Sequence, residues 1–390
     1  MSPEVRSDPF GAGPYSRVQA TLGLIKSDGL RVGRRALLVG LIAWLPLLLL
    51  SAVEGLAFRP DPRESMLLDM AAHARYLISL PLLVLAEAVC LPWLASIARH
   101  FGDMGLIPQA SRPRYDHLLE STRRLLASRW TDFTILLLAY AATLGLAPRL
   151  YPESVSTWVA PLSGAGQELS LAGWWRALVS QPLYLMFLLG WLLRVALWAR
   201  FLRGMSRLDL QLIPAHPDLA GGLGFVGTSI RAFLLLALAL SVPVAGTVAQ
   251  GILFGDRSLN DFGYVIAGIV IVEMVLFAGP LFLLGPALLR ARTRGIFQYG
   301  ALAEAMGQQF EDRWLRSGSA VRAEALAAPD FSATTDLYSI AANAHGMRLI
   351  PLKIVQIVPL VIAVLLPFVP VVLVALPIEE ILSYAAKLVL

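Results

Sequence analysis

The chain has 390 residues, of which 57% are apolar and only 15% are charged, and its mean hydropathy is +0.67. Its few polar side chains cannot cover so much apolar surface, so these values exclude a soluble fold. The formal net charge is +5 and arginine carries most of it, because the chain contains only three lysines. The preference of cytoplasmic loops for Lys and Arg explains this excess, so we expect no nucleic acid as a partner.

Seven apolar runs approach or exceed the roughly eighteen residues that a helix needs to cross a bilayer. The predicted fold class is therefore all-α: a polytopic transmembrane helix bundle of about seven spans, with proline-kinked helices and cytoplasmic amphipathic helices. Helices satisfy their own backbone hydrogen bonds, so neither a sheet nor a barrel is required. The predicted spans are residues 36–53, 76–98, 131–147, 182–202, 232–254, 263–289 and 354–376.

The polar segments divide the chain into four parts. Residues 1–35 form a cytoplasmic N-terminal tail with a short amphipathic piece at 15–30, and Arg31, Arg34 and Arg35 hold its end at the membrane. Residues 36–289 form the bundle of the first six spans, 290–350 a cytoplasmic amphipathic segment, and 351–390 the last span with a short C-terminal helix.

Two of the polar segments have an apolar face at helical spacing. Residues 115–130 predict a helix that lies on the membrane surface or on the bundle. Residues 296–315 predict a second amphipathic helix, and residues 329–339, PDFSATTDLYS, predict a less regular stretch after it.

The distribution of Lys and Arg predicts the orientation. Segments 1–35, 99–130, 200–231 and 290–350 hold 23 of these residues, whereas the alternate segments hold 7. The positive-inside rule then places the N-terminus in the cytoplasm and the C-terminus outside, and the first span directs insertion without a cleaved signal peptide. The prolines of the last span leave a re-entrant hairpin open, which would return the C-terminus to the cytoplasm.

Three ionisable residues lie near the middle of predicted spans: Glu87, Arg194 and Glu273. Such groups are costly within a bilayer unless they are paired or hydrated, so they suggest a functional site. In one interpretation they form a midplane polar centre that binds an ion, exchanges protons or holds an anionic substrate on Arg194. In the other they are a structural ion pair between helices.

A glycine-rich turn, HPDLAGGLGFVG, joins the fourth and fifth spans at 216–227. It formally matches the dinucleotide fingerprint at Gly222, Gly224 and Gly227, but that motif requires a strand before it, and here a membrane helix precedes it. We interpret the turn as a tight connection in which glycine permits close packing. His216, Asp218, Gly222 and Gly224 would then line a cytoplasmic mouth.

The sequence predicts no cofactor and no metal site. Cys90 is the single cysteine, which rules out an intrachain disulfide. His216 and Asp218 have no third potential ligand near them in sequence, and Glu379 and Glu380 fit a solvated helix face. No hydrolase, zinc-protease or nucleotide-binding motif is present, so an enzyme is the less favoured class.

The turn HPDLAGGLGF, the segment PDFSATTDLYS and the following MRLIP at 347–351 resemble an uncharacterised group of bacterial multi-pass membrane proteins. The resemblance covers roughly the C-terminal half of the chain. It implies a bacterial inner (plasma) membrane and this order of elements, and it implies no activity and no site residues.

Three functional hypotheses follow. The first is a transporter or ion-conducting protein with the centre Glu87, Arg194 and Glu273, acting on an ion or small solute. The second is an accessory or sensory scaffold that binds a partner through 290–350. The third is a membrane enzyme that acts on a lipid head group at the 203–231 loop. The lipid bilayer is the one partner common to all three, and a homo-oligomer is left open.

Overall fold

A computed structural model describes residues 10, 29–146, 157–163, 166–255, 257–316 and 329–375, and these residues are mostly helical. Residues 15–28 of the predicted amphipathic piece 15–30, and the predicted C-terminal helix at 377–390 with Glu379 and Glu380, lie outside the described residues. Two short antiparallel strands are present, β1 Leu162–Ser163 and β2 Gly166–Gln167. The main helices are α1 Gly29–Val53, α2 Met70–Asp103, α3 Arg112–Leu126, α4 Arg129–Ala141, α5 Leu171–Ser206, α6 Leu234–Phe254, α7 Gly263–Ala278, α8 Gly285–Glu311, α9 Pro329–His345, α10 Ile354–Leu365 and α11 Val369–Ala375.

Six helical stretches in the described part of the chain are long and apolar enough to cross a membrane. They correspond to six of the seven predicted spans, which confirms an all-α polytopic bundle. The remaining predicted span, 131–147, is helical in α4 and in the π-helical turn Ala142–Leu146, but α4 begins with the charged residues Arg129 and Asp132. The six stretches are Val32–Val53, Met70–Asp103, Leu171–Ser206, Leu234–Phe254, Leu259–Arg316 and Ile354–Ala375.

The arginine-rich loops meet at one end of the bundle, which we call the basic end (residues 99–130, 200–231 and 290–353). The backbone N–H of Gln211 donates to the carbonyl of Leu106 at 2.9 Å. The Arg294 guanidinium donates to the carbonyl of Leu212 at 2.8 Å, which joins the segment 290–353 to the segment 200–231. Loops that the orientation rule assigns to one side of the membrane therefore contact each other.

The alternate loops meet at the opposite end. Trp158 Nε1 donates to the Asp69 carboxylate at 3.0 Å, and the Met70 N–H donates to Gln250 Oε1 at 2.7 Å. Near this end, Tyr140 of α4 donates to the Leu178 carbonyl at 2.8 Å. Because Thr131, at the start of α4, donates to Leu125 at the basic end, α4 also runs between the two ends.

Helix α6 lies at the centre of the bundle. Half of its 18-residue apolar window is buried, compared with 28% for α1 and 22% for Ile354–Ala375.

The last span runs along α6. It starts beside Gly227, and Phe368 and Val371 pack against Val248 and Phe262 near the far end of α6. Within residues 354–375 the last span therefore continues in one direction, without the turn that a re-entrant hairpin requires.

Prolines change the helix geometry at several points. A π-helical turn precedes Pro81 in α2 and another precedes Pro182 in α5, because the proline ring clashes with the carbonyl four residues before it. Turns of 3₁₀ helix contain Pro280 and Pro367. Helices α2 and α5 begin several residues before the spans that hydropathy predicts.

The prediction of a less regular stretch at 329–339 is wrong, because these residues form the first two-thirds of α9. Helix α9 packs on α8 as a helical hairpin, in which the Phe331 ring lies 5.0 Å from that of Phe310. Asp330 favours a helix start, and the Thr334 hydroxyl bonds back to the Asp330 carbonyl. The Asp and Thr residues that suggest a turn in the sequence are thus accommodated within the helix.

Candidate functional site

The carboxylate of Glu87 lies between two arginines from two other helices. Its Oε1 accepts a hydrogen bond from Arg194 Nη2 of α5 at 3.0 Å, and its Oε2 accepts one from Arg35 Nη2 of α1. The three side chains are almost buried, with 3% of Arg194 and 13% of Glu87 exposed. The ion pairs tie α1, α2 and α5 together inside the bundle, and we call this group the Glu87 centre (Arg35, Glu87 and Arg194).

Two buried N–H groups at or beside the Glu87 centre lack an acceptor among the described residues. Among the described residues, Arg194 Nε has no hydrogen-bond partner, and neither has Trp198 Nε1, one turn further along α5. The Arg194 guanidinium also lies 5.0 Å from the ring centroid of Trp191. Because buried polar groups are nearly always paired, these two N–H groups are suited to an added acceptor.

Arg35 is the member of the centre that the sequence analysis missed. It was expected to hold the tail at the membrane edge, yet only 7% of the residue is exposed. Helix α1 starts at Gly29, before the predicted span, and Arg35 lies next to a buried stripe formed by Ala36, Gly40 and Ala43. This stripe of small residues at helical spacing is the sequence pattern that could have predicted the burial of Arg35.

The Glu87 centre lies nearer the basic end than the middle of the bundle. Arg35 is three residues after Val32, where the apolar part of α1 begins. Arg200, at the basic end of α5, follows Arg194 by six residues, or about 9 Å of helix. One turn after Glu87, Cys90 donates to the carbonyl of Ala232, just before α6 begins.

Glu273 is fully buried in α7 but does not join the Glu87 centre. Its Oε1 accepts from the Ser241 hydroxyl at 2.7 Å, and its Oε2 has no partner among the described residues. Ser241 lies two residues after Ala239, whose carbonyl accepts from Ser79 of α2. Since Ser79 precedes Glu87 by eight residues and Ser241 lies two residues beyond Ala239, the Ser241–Glu273 pair lies about 15 Å from Glu87 along the bundle axis.

The carboxylate of Asp218 organises the glycine-rich turn. It accepts hydrogen bonds from the backbone N–H groups of Ala220 at 2.7 Å, Gly222 at 3.2 Å and Gly224 at 2.8 Å. His216 Nδ1 lies 2.8 Å from the same carboxylate. Burial alone would raise the pKa of Asp218, but the backbone donors and His216 outweigh it and lower the pKa below its usual range.

The turn is also docked on the segment that precedes the last span. The Arg348 N–H donates to the Leu219 carbonyl at 2.7 Å, and its guanidinium donates to the Asp218 carbonyl at 2.5 Å. Gly221 and Gly222 have φ values of 64° and 94°, which favour glycine. His216, Asp218, Gly222 and Gly224 therefore form a closed turn at the basic end, which follows a helix and is unlike a strand-supported nucleotide loop.

We expect Asp218→Ala to lower the free energy of unfolding by about 2 kcal/mol, because three backbone donors lose a charged acceptor. The lowered pKa sets the pH dependence. The stabilisation is present above the unfolded pKa, near 3.8, and is lost as the pH falls through the folded pKa. Thermal unfolding in detergent should therefore show a gap between wild type and Asp218→Asn that is constant above about pH 5 and closes in stronger acid.

Asp209→Asn provides the matched control, because Asp209 is an exposed carboxylate in the same loop and forms no ion pair within the described residues. Its melting temperature should follow that of wild type at every pH. A gap between wild type and Asp218→Asn that widens in acid would contradict the assignment.

The fold and the buried charges define a polytopic α-helical integral membrane protein with an ion-paired centre inside its bundle. Within the described residues, no group of three His, Cys, Asp or Glu side chains is arranged to hold a metal ion. Comparison of the chain with protein-family models, curated proteins and solved structures finds no match.

Proposed function

We propose that the protein is a transporter of a small anion, coupled to protonation of Glu87, and that the Glu87 centre is its binding site. The observation that carries the proposal is the pairing of Glu87 with two arginines while Arg194 Nε and Trp198 Nε1 have no acceptor among the described residues. A carboxylate or phosphate oxygen is the natural acceptor for such donors.

In this mechanism Glu87 occupies the place of the transported anion. The ionised carboxylate neutralises the guanidinium of Arg194 and keeps the centre closed. A proton on Glu87 removes its negative charge, and Arg194 then binds the substrate anion by donating two hydrogen bonds to it. The anion and the proton thus enter the centre together, and release of the proton restores the ion pair.

The other residues predicted from the sequence have separate places in the proposal. Glu273 is buried without a cation, an arrangement that accommodates the neutral carboxyl, and it serves as a second proton-carrying group. The turn with His216, Asp218, Gly222 and Gly224 lies at the cytoplasmic mouth. The basic end faces the cytoplasm of a bacterial cell, because it contains most of the Lys and Arg.

The test is anion and proton flux in proteoliposomes for wild type, Glu87→Gln, Arg194→Gln and Glu273→Gln. We expect wild type to move an anion faster at low pH. Glu87→Gln resembles the protonated state, so its flux should persist but lose the pH dependence. Arg194→Gln should reduce anion flux by about tenfold or more, since it removes the charged donor.

The variant Glu273→Gln makes the same carboxyl-to-amide change in a different part of the bundle. It should reduce proton flux more than anion flux, which separates its role from that of Glu87. No movement of any anion or proton by folded wild type would refute the proposal. The Glu87 centre would then be a structural ion-pair network between three helices.

A scaffold that binds a partner is the second candidate, and the α8–α9 hairpin favours it. Large apolar side chains are exposed on this hairpin beyond the bundle, among them Phe297, Leu302, Tyr338 and Ile340. If flux is absent, photo-crosslinkers at Leu302 and Ile340 would test this function in cells. A defined protein crosslinked at both positions would support it, and labelling of lipid alone would exclude it.

A further inference from the structure

A pocket opens at the basic end between the last turns of α5 and the first turn of α8. Its volume is about 630 Å³, which is sufficient for a lipid head group. It lies apart from the Glu87 centre, since Arg203 follows Arg194 by nine residues along α5. The pocket is lined by Arg203, Ser206, Arg207, Asp209, Phe282, Leu283, Pro286 and Arg290.

Three arginines and one aspartate give the pocket a positive charge. Within the described residues, neither Arg203 nor Arg207 makes a side-chain hydrogen bond or ion pair, and both are exposed. Arg290 donates to the Ser206 carbonyl at 3.1 Å, which fixes it at the pocket wall. Asp209 forms no ion pair with these arginines. The guanidinium groups are therefore available to an anion.

The same basic surface continues on the other side of Arg207. A second pocket, of about 430 Å³, is lined there by Arg114 and His117 of α3 together with Arg207 and Leu208. A ligand with one phosphate can thus meet several cationic side chains around the end of α5.

The opposite wall of the pocket is apolar. Phe282 is 56% exposed, and it belongs to the membrane-spanning stretch Leu259–Arg316. Leu283 and Pro286 lie beside it. An acyl chain can lie along this exposed ring while the arginines hold the head group.

We propose that this pocket binds the phosphate group of an anionic membrane lipid, with one acyl chain against Phe282. Basic pockets at the cytoplasmic ends of membrane helices attract anionic head groups, and arginine binds phosphate through a planar pair of N–H donors. A free phosphate ion would use the arginines but not the apolar wall. The proposal does not depend on transport, because no residue of the Glu87 centre lines the pocket.

The test uses protein purified in a nonionic detergent and three probes: short-chain phosphatidylglycerol, short-chain phosphatidylcholine and inorganic phosphate. Binding is measured by microscale thermophoresis for wild type and for Arg203→Gln combined with Arg207→Gln. We expect wild type to bind phosphatidylglycerol at least about tenfold more tightly than either other probe. The double variant should lose about tenfold or more of its affinity for phosphatidylglycerol.

Arg123→Gln combined with Arg124→Gln is the matched control, because it removes two exposed arginines that are paired with Glu120 on α3. This control should bind phosphatidylglycerol as wild type does. Phe282→Ser should weaken the binding of phosphatidylglycerol but not that of inorganic phosphate. Melting temperatures show whether each variant remains folded.

Three results would overturn the proposal. Equal affinities for phosphatidylglycerol and phosphatidylcholine, which both contain an ionised phosphate, would show that the arginines do not recognise the net negative charge of the head group. Equal losses in the pocket variant and the matched control would show a general effect of charge. Binding of inorganic phosphate as tight as that of phosphatidylglycerol, and unchanged in Phe282→Ser, would make the pocket a site for a free anion.

Discussion

Replacing Glu87 by alanine should lower the free energy of unfolding by about 3–5 kcal/mol, the largest effect that we expect from any single charge in the bundle. The change removes the carboxylate that Arg194 and Arg35 share, and Arg194 is only 3% exposed. A guanidinium buried without its acceptor must be rehydrated or moved, and either requires the helices to separate. Thermal unfolding in detergent measures the loss directly.

Glu120→Ala is a control of the same chemistry on the surface. Glu120 also accepts hydrogen bonds from two arginines, Arg123 and Arg124, which lower its pKa to about 2. Because the side chains are exposed on α3, water replaces the lost contacts and the melting temperature should barely change. If Glu87→Ala and Glu120→Ala had equally small effects, the Glu87 centre would not be buried in the folded protein.

The second large effect should come from Gly227→Ala. A methyl group at Gly227 would lie 2.3 Å from the carbonyl oxygen of Pro351 and 2.7 Å from Gln356 Oε1. The carbonyl belongs to the backbone, so the start of the last span would have to move away. We expect a cost of about 1–3 kcal/mol, with the melting temperature as the measurement.

Gly268→Ala makes the same chemical change at an open position. Gly268 lies in α7, and an added methyl group meets no atom within 4 Å. Alanine favours a helix over glycine, so this variant should be as stable as wild type or slightly more stable. If Gly227→Ala and Gly268→Ala had the same melting temperature, the turn and the last span would not be in contact.

The parts of the fold that hydropathy controls were predictable from the sequence. Six apolar runs located six membrane helices, because a span requires a long stretch without charges. The segment at 329–339 was not predictable in this way, since its Asp and Thr residues favour turns in isolation and become helical only against α8. Contacts between distant segments overrode local propensity there.

The candidate site was predictable in composition but not in arrangement. Glu87 and Arg194 were found because charges within a span are rare, whereas their contact depends on how α2 and α5 pack. Arg35 stands at the edge of an apolar run, where an arginine usually anchors a helix at the interface. Glu273 also lies near the middle of its run, but the stagger between helices places it at another depth.

The docking of the glycine-rich turn on Arg348 has a consequence for biosynthesis. Arg348 follows Asp218 by 130 residues, so the ribosome makes the two halves of this junction on the order of ten seconds apart. Until then the turn lacks its hydrogen bonds to Arg348, although the membrane helices before residue 290 have already been made. The glycine-rich turn is therefore docked only after Arg348 has been synthesised. A chain truncated before Arg348 should contain the earlier membrane helices but lack this contact, and quality-control proteases should degrade it.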